Sequence, residues 1–243
     1  MFLLINKPEG WTSFDVVNYI RKQIKQSPTY KLKTKNSKLK VGHAGTLDPF
    51  ATGLLIIGVG RENTKKLDKF KNLPKTYIAT LKLGFVSDTF DKTGKISNYQ
   101  LSIFNKFSIL QFLKKTFKTK TVNPDYLYVN KILQKFLGKQ KQLPPMFSAK
   151  KIKGQKLYDL ARKGIIIKRK KCKIEIYNIE LLEYNYPKLK IKINCSSGTY
   201  IRTLAHDIGK KLGVGAYCED LVRTKIGEYS LAQAQDIKTV YPQ

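Results

Sequence analysis

The chain has 243 residues, and its 47 Lys and Arg against 17 Asp and Glu give a formal net charge of +30 at pH 7. Hydrophobic residues make up 42% of the chain and aromatic residues 11%, which excludes wholesale disorder and suits one large domain. The longest apolar run, residues 53–60, is far shorter than the ~20 residues of a membrane span, and the N-terminus lacks a secretory pattern, so we expect a cytoplasmic protein with no membrane contact.

Apolar periodicity predicts the elements in chain order, and glycine and proline mark their boundaries. The predicted strands are 2–6, 54–59, 77–83, 173–183 and 189–195. The predicted helices are one capped by Thr12 or Ser13, then 103–117, 129–137, 155–162 and 199–212. Segments 26–40 and 42–53 are predicted loops, 88–94 a turn, and 216–231 extended chain. Strands and helices alternate without a regular βαβ repeat, which predicts an α+β fold with a mixed, largely antiparallel sheet flanked by helices.

The positive charge is concentrated in two stretches. No acid but eight Lys and Arg occur between Asp15 and Asp48, and thirteen Lys stand against Asp125 alone from Gln100 to Tyr158. Surfaces of one sign attract polyanions, and lysine contacts phosphate as a point charge. Only six of the basic residues are Arg, so biased composition is the alternative explanation. The uneven distribution favours a nucleic acid as partner.

The densest chemical signal is the glycine-framed segment 42–53, which contains Asp48. Its glycines permit positive φ angles or close backbone approach, and Pro49 holds Asp48 in an extended conformation. A carboxylate on a stiff loop ahead of a buried strand is a candidate nucleophile or base. The alternative is that Asp48 only forms a turn before Pro49, since Asp-Pro turns are common.

Other chemistries find little support in the sequence. Cys172, Cys195 and Cys218 are few, distant and odd in number, and the two histidines, His43 and His206, are too far apart for a local metal motif. No phosphate-binding glycine pattern occurs, and no serine stands in a recognisable triad with a histidine. We therefore expect neither a metal nor a cofactor.

Residues 42–55, Gly-His-Ala-Gly-Thr-Leu-Asp-Pro-Phe-Ala-Thr-Gly-Leu-Leu, resemble the signature of the TruB-type tRNA pseudouridine synthases. These enzymes isomerise uridine 55 in the T loop of tRNAs. Further segments that resemble the family occur in the family's order and span nearly the whole chain; they are 6–13 (Asn-Lys-Pro-Glu-Gly-Trp-Thr-Ser), 75–77 (Lys-Thr-Tyr), 87–91 (Ser-Asp-Thr-Phe-Asp), 143–149 (Leu-Pro-Pro-Met-Phe-Ser-Ala), 197–202 (Ser-Gly-Thr-Tyr-Ile-Arg) and 221–224 (Leu-Val-Arg-Thr).

The resemblance implies a role for six residues. Asp48 matches the essential aspartate, Tyr77 the tyrosine that stacks on the target base, and Arg202 the arginine that pairs with the aspartate. Three further substrate-binding residues follow from the same match: His43 near the rearranged T loop, and Tyr200 and Leu221 lining the uracil pocket. Without the resemblance, each of these side chains would be an ordinary loop, strand or core residue.

The implied reaction fits the residue inventory. Exchanging a C–N for a C–C glycosidic bond within one nucleotide needs neither a metal nor a redox cofactor, but it requires the uridine to leave its stack. The expected partner is the T stem-loop of tRNA, bound by a monomer. The alternative function is a non-catalytic RNA-binding protein or tRNA-folding chaperone that uses the same basic surface.

The domain prediction is a single pseudouridine synthase catalytic domain over residues 1–243, with a basic RNA-binding insertion around 101–164. Members of the family commonly carry a C-terminal PUA-like domain. The chain ends about 20 residues after Arg223, so we expect no such domain in it.

Overall fold

The computed structural model describes residues 1–27, 39–99, 123–148, 151–152, 155–162, 164–165 and 167–240. The predicted helix over 103–117 and most of the predicted loop over 26–40 lie outside these ranges. The chain divides into two compact units. The first contains Met1–Ile78, Asn194–Ser197 and Leu221–Gln243, and the second contains Ala79–Ile193 and Gly198–Asp220.

The elements of the described residues are numbered in chain order. The strands are β1 (Phe2–Lys7), β2 (Val41–Ala44), β3 (Thr52–Val59), β4 (Lys75–Leu83), β5 (Phe85–Ser87), β6 (Ile96–Asn98), β7 (Gly138–Gln142), β8 (Lys151–Ile152), β9 (Gln155–Lys156), β10 (Cys172–Asn185), β11 (Lys188–Cys195), β12 (Ala216–Ile226), β13 (Tyr229–Ser230) and β14 (Gln235–Asp236). The helices are α1 (Ser13–Gln26), α2 (Arg61–Lys71), α3 (Tyr126–Gln134), α4 (Leu157–Arg162), α5 (Ile201–Leu212) and α6 (Ile237–Val240), with a 3₁₀ turn at Leu231–Gln233.

The first unit is built around β3. This strand pairs antiparallel with β1 and β2 and parallel with β12, where Arg223 lies opposite Gly53. On one side its Leu55 and Ile57 join a core cluster that includes residues of α1, and on the other Leu54 and Ile56 join a second cluster that includes α2. Because β3 is buried on both faces, the loop that precedes it has a rigid anchor.

Helix α1 begins at a complete capping box. The Thr12 hydroxyl accepts a hydrogen bond from the backbone N–H of Asp15, and the Asp15 carboxylate accepts one from the backbone N–H of Thr12. Such reciprocal caps satisfy N–H groups that the helix leaves open at its start. The cap therefore fixes where α1 starts, directly after the turn at residues 8–11. The predicted helix is confirmed, and Thr12 is the cap of the two that the sequence allowed.

The second unit contains the long strands β10 and β11. Their inward positions alternate as predicted, with Ile174, Ile176, Leu189 and Ile191 all buried, and β7 pairs antiparallel with β10. Helix α5 buries one apolar face and ends at Gly213, whose φ of +82° is the left-handed conformation that closes many helices. Helix α3 packs against α5 and β10.

The structure also contains elements that the pattern did not predict. Helix α2 was not expected, and β2 occupies part of the predicted loop over 42–53. The predicted helix over 155–162 is shorter, since its first two residues form β9. None of the helices within the described ranges is long and apolar enough to cross a membrane.

Candidate active site

Asp48 lies on a loop whose backbone is fixed from several directions. Ser13 makes two of these contacts, because its hydroxyl accepts a hydrogen bond from the N–H of Leu47 at 2.9 Å and donates one to the carbonyl of Leu47 at 3.2 Å. The N–H of Gly10 donates to the carbonyl of Pro49 at 2.9 Å. The carbonyl of Asp48 itself accepts from Ala51 at 3.1 Å. The half-buried Asp48 is therefore presented on a preorganised loop.

Lys7 is a further contact of the Asp48 loop. Its fully buried ammonium donates hydrogen bonds to the carbonyls of Pro8 at 2.7 Å, Trp11 at 2.6 Å and Pro49 at 3.3 Å. Burial lowers the pKa of Lys7 from 10.5 to about 8, against the opposing attraction of Asp48. Lys7 thus fastens the end of β1 to the Asp48 loop and places a positive charge near the carboxylate.

Tyr77 lies on β4 and is almost completely buried. Burial raises the pKa of its hydroxyl, whereas the charge of Arg223 and a hydrogen bond with the Arg223 side chain act in the opposite direction. The negative charge of Asp48 also raises the pKa of Tyr77, so the two side chains interact electrostatically. Tyr77 is therefore a neutral hydroxyl held at an arginine, in the same unit as Asp48.

His43 and Leu221 also belong to the first unit. His43 lies on β2 opposite Ile57, and burial, followed by the charges of Arg223 and Lys71, lowers its pKa from 6.5 to about 4. Its Nδ1 is buried and has no hydrogen-bond partner among the residues that the structure describes. His43 is thus neutral at physiological pH. Leu221, on β12, is buried.

Arg202 lies in the second unit, on the first turn of α5, and is 4% exposed. Its Nη1 donates to the carbonyl of Thr89 at 3.0 Å and to Oδ2 of Asp91 at 2.9 Å, and its Nη2 donates to the carbonyl of Phe147 at 2.6 Å. A planar guanidinium reaches these three acceptors from two nitrogens held in one plane, a geometry that the single nitrogen of an ammonium does not reproduce. The buried pair with Asp91 is a contact that the sequence reasoning did not assign.

The carboxylate of Asp91 is held by the turn that carries it. Its second oxygen, Oδ1, accepts from the Thr89 hydroxyl at 2.8 Å, the Thr93 N–H at 2.9 Å and the Thr93 hydroxyl at 2.6 Å. Both oxygens of this buried carboxylate are therefore occupied, one by the turn and one by Arg202. Asp91 orients Arg202 rather than standing free for chemistry of its own.

Tyr200 is held through its backbone, also in the second unit. The side-chain amide of Gln142 accepts from the Tyr200 N–H at 2.8 Å and donates to the Tyr200 carbonyl at 3.0 Å. The N-cap residue of α5 is Tyr200, and its own side chain makes no capping hydrogen bond. The Gln142 amide instead hydrogen-bonds the backbone at this end of the helix. The start of α5, with Tyr200 and Arg202, is therefore fixed to the end of β7.

The six predicted site residues fall into two groups. Asp48, Tyr77, His43 and Leu221 lie in the first unit, while Tyr200 and Arg202 lie in the second. The predicted pairing of Arg202 with Asp48 stays a prediction. Within the described ranges, no cluster of three or more His, Cys, Asp or Glu side chains could hold a metal ion.

Three residues gained importance only with the structure: Lys7, Asp91 and Arg223. All three stand in segments that resemble the family, so the signal was their position within those motifs. Nothing in the sequence itself showed that Lys7 and Arg223 would be buried charges, because that depends on which strands pack around them.

The Asp48 loop and Tyr77 supply a carboxylate and an aromatic ring, the groups that nucleophilic or general-base chemistry on a stacked base would use. Comparison with known families makes the class specific. Residues 30–201 match the model of the TruB family pseudouridylate synthase N-terminal domain, and residues 202–242 match the tRNA pseudouridylate synthase B C-terminal domain. The chain belongs to the TruB family of pseudouridylate synthases, which are isomerases, and this confirms the family and enzyme class predicted from the sequence.

Curated relatives that carry the name tRNA pseudouridine synthase B align with this chain over most of their length. The chain is 44% identical to the tRNA pseudouridine synthase B of Protochlamydia amoebophila over 229 residues, which is 94% of this chain and 75% of the relative. It is 43% identical to the protein of the same name from Clostridium tetani, over 97% of this chain and 71% of the relative. A non-catalytic RNA-binding protein is not favoured by these names.

Solved structures support the fold. A structure of an H/ACA RNP bound to a substrate RNA containing 2′-deoxyuridine matches 97% of this chain with a TM-score of 0.62 at 21% identity. A Cbf5-Nop10-Gar1 complex matches 94% of this chain with the same TM-score at 24% identity. The chain spans half the length of each matched chain. The likeness confirms the predicted α+β class with its mixed, mostly antiparallel sheet.

Proposed function

We propose that the enzyme converts uridine 55 in the T loop of tRNA to pseudouridine, that it does so in the cytoplasm as a monomer, and that Asp48 is its catalytic residue. The names of its relatives, tRNA pseudouridine synthase B, support tRNA as the substrate. The observation that carries the proposal is the Asp48 loop, which Lys7, Gly10 and Ser13 hold in place through hydrogen bonds. These bonds hold the carboxylate in one place, as nucleophilic or general-base chemistry requires.

The chemistry begins from an ionised Asp48. Whether the carboxylate adds to the base, attacks the sugar C1′ or removes a sugar proton, each route uses its negative charge, and the nearby ammonium of Lys7 attracts that charge. Holding the group in a fixed position lowers the entropic part of the barrier. The positive charge at Lys7 also counters the cost of keeping a carboxylate half-buried.

The substrate base must be extruded to reach this carboxylate. Unstacking a nucleotide costs a few kcal/mol, and stacking on an aromatic side chain returns ~1–3 kcal/mol per base. We assign that stacking to Tyr77, the lining of the uracil pocket to Tyr200 and Leu221, and a contact with the T loop to His43. Arg202 is proposed to orient Asp48 with a guanidinium that Asp91 holds in place.

Recognition is proposed to concentrate on the T stem-loop. RNA readers generally take their sequence information from unstacked loop bases, while basic side chains position the phosphate backbone. The net charge of +30 supplies many such side chains. Affinity should therefore fall steeply with added salt.

The test is to incubate the purified protein with an unmodified tRNA transcript and to map pseudouridine at single-nucleotide resolution. The proposal requires modification at position 55 and its loss when that uridine is replaced by cytidine. A matched T-arm hairpin separates the recognition claim from the activity claim. We expect kcat/KM for the hairpin to lie within about a hundredfold of that for tRNA, or ~2.7 kcal/mol. A larger deficit would show that contacts outside the T arm are needed.

A further inference from the structure

We infer that Arg223 is a positioning residue. Its buried guanidinium links the Asp48 loop to Tyr77 and so sets the positions of the Asp48 carboxylate and the Tyr77 ring. The inference rests on the proposed function, because it takes Asp48 and Tyr77 as the reacting and stacking groups. Every contact that supports it lies within the first unit of the chain.

The guanidinium holds both ends of the Asp48 loop. Arg223 is 1% exposed, its Nε donates to the carbonyl of Leu54 at 2.8 Å, and its Nη2 donates to the carbonyl of Gly45 at 3.1 Å. Gly45 lies three residues before Asp48, and Leu54 lies in β3, which follows the loop. One planar group therefore fixes the distance between the entry and the exit of the segment that carries Asp48.

The guanidinium also acts on Tyr77: burial raises the pKa of the Tyr77 hydroxyl, and the charge of Arg223 together with a side-chain hydrogen bond to it opposes that rise. A guanidinium can only donate, so the tyrosine oxygen is the acceptor in this hydrogen bond and the phenolic proton is left for another acceptor. The interaction thereby restrains the tyrosine oxygen, which lies at the far end of the ring. A base stacked on Tyr77 would be positioned by the ring and therefore, through it, by Arg223.

The backbone of Arg223 is packed tightly against the end of the Asp48 loop. Arg223 pairs with Gly53 across parallel strands β12 and β3. Gly53 has a φ of +104°, and a Cβ there would lie 2.8 Å from the backbone nitrogen of Arg223. The two strands thus approach too closely for any residue larger than glycine, so Arg223 and the end of the Asp48 loop move together.

Stability alone does not account for an arginine at this position. In the part of the chain that the structure describes, Arg223 makes no ion pair with a carboxylate. A buried charge that is met only by neutral acceptors is costly compared with an apolar side chain. Burial is the main cause of the lowered pKa values of Lys7, His43 and Lys75, and the charge of Arg223 lowers each of them further. The arrangement is better explained by a role in the site.

The test compares Arg223→Lys with Arg21→Lys. Lysine keeps the charge of Arg223 but cannot serve two carbonyls and a hydroxyl in one plane. Arg21 is the matched control, because it also lies in the first unit and donates to a backbone carbonyl, that of Val41 at 3.3 Å. Each variant is assayed for single-turnover rate and tRNA affinity, and the Tyr77 ring is followed by NMR with ¹³Cζ-labelled tyrosine, assigned through Tyr77→Phe.

We expect Arg223→Lys to lower the single-turnover rate by about tenfold or more, to change the Kd for tRNA by less than about threefold, and to shift the Tyr77 resonance. Arg21→Lys should change none of these. An unchanged rate, an unmoved Tyr77 resonance, or a loss of affinity as large as the loss of rate would each overturn the inference.

A second variant covers the case in which Arg223→Lys does not fold. Removing only the hydroxyl, in Tyr77→Phe, should shift the Nε–Hε resonance of Arg223, which is easily followed because the chain has only six arginines. No shift there would overturn the inference. Neither NMR measurement needs RNA, so a wild-type protein that fails to modify position 55 would refute the proposed function and leave this result standing.

Discussion

His43 should make the folded protein sensitive to acid. Its pKa is lowered from 6.5 to about 4 in the fold, chiefly by burial. Between these values the unfolded chain binds the proton and the folded chain does not, so stability is full above pH 6.5 and falls as the pH falls. At about pH 4 the loss attributable to His43 amounts to ~3 kcal/mol of unfolding free energy.

The assay is urea unfolding of the wild type and of His43→Gln at about pH 7 and about pH 4. The carboxylates titrate alike in both proteins, so their contribution cancels in the comparison. We expect the variant to lose about 3 kcal/mol less than the wild type over this range. The chain has only two histidines, so NMR titration can also follow His43 directly. Equal losses in the two proteins, or a His43 that titrates near its ordinary pKa, would refute the reasoning.

Two further substitutions test the contacts at the site. Arg202→Lys should reduce single-turnover activity by about tenfold or more, because the single nitrogen of lysine does not reproduce the planar geometry with which Arg202 contacts Asp91 and two carbonyls. Turnover at the wild-type rate would remove its proposed orienting role. Gly53→Ala should destabilise the protein by about 2 kcal/mol or more in urea unfolding, because its new methyl group meets the backbone of Arg223. Gly10→Ala is the control, since Gly10 also has a positive φ, of +81°, but open space around it, and an equal loss there would show that backbone strain alone is responsible.

Much of the fold follows from local patterns. The alternation of β10 and β11 and the face of α5 were predicted because each strand or helix buries a regular set of side chains. Helix α2 escaped prediction because it is largely polar and buries only Leu67, so it has no apolar stripe to detect. Strand β2 escaped because its glycine and histidine resemble a loop until β3 pairs with it.

Only part of the candidate site could be predicted from the sequence. Asp48 stood out because glycines permit unusual backbone conformations around it and Pro49 restricts its own backbone, and both signals lie in consecutive residues. The part played by Arg223 was not predictable, because it depends on a parallel pairing between β12 and β3, about 170 residues apart in the chain. Contacts of this kind arise from topology, and a single sequence shows only that an arginine is present.

The most direct test of the account is the yield of pseudouridine at position 55 with Asp48→Asn in place of the wild type. The substitution is nearly isosteric but removes the negative charge, while tRNA affinity should rest on many lysine–phosphate contacts. We predict that the variant binds tRNA with a Kd close to that of the wild type and forms no pseudouridine. Turnover above about a tenth of the wild-type rate would contradict a nucleophilic or general-base role for Asp48.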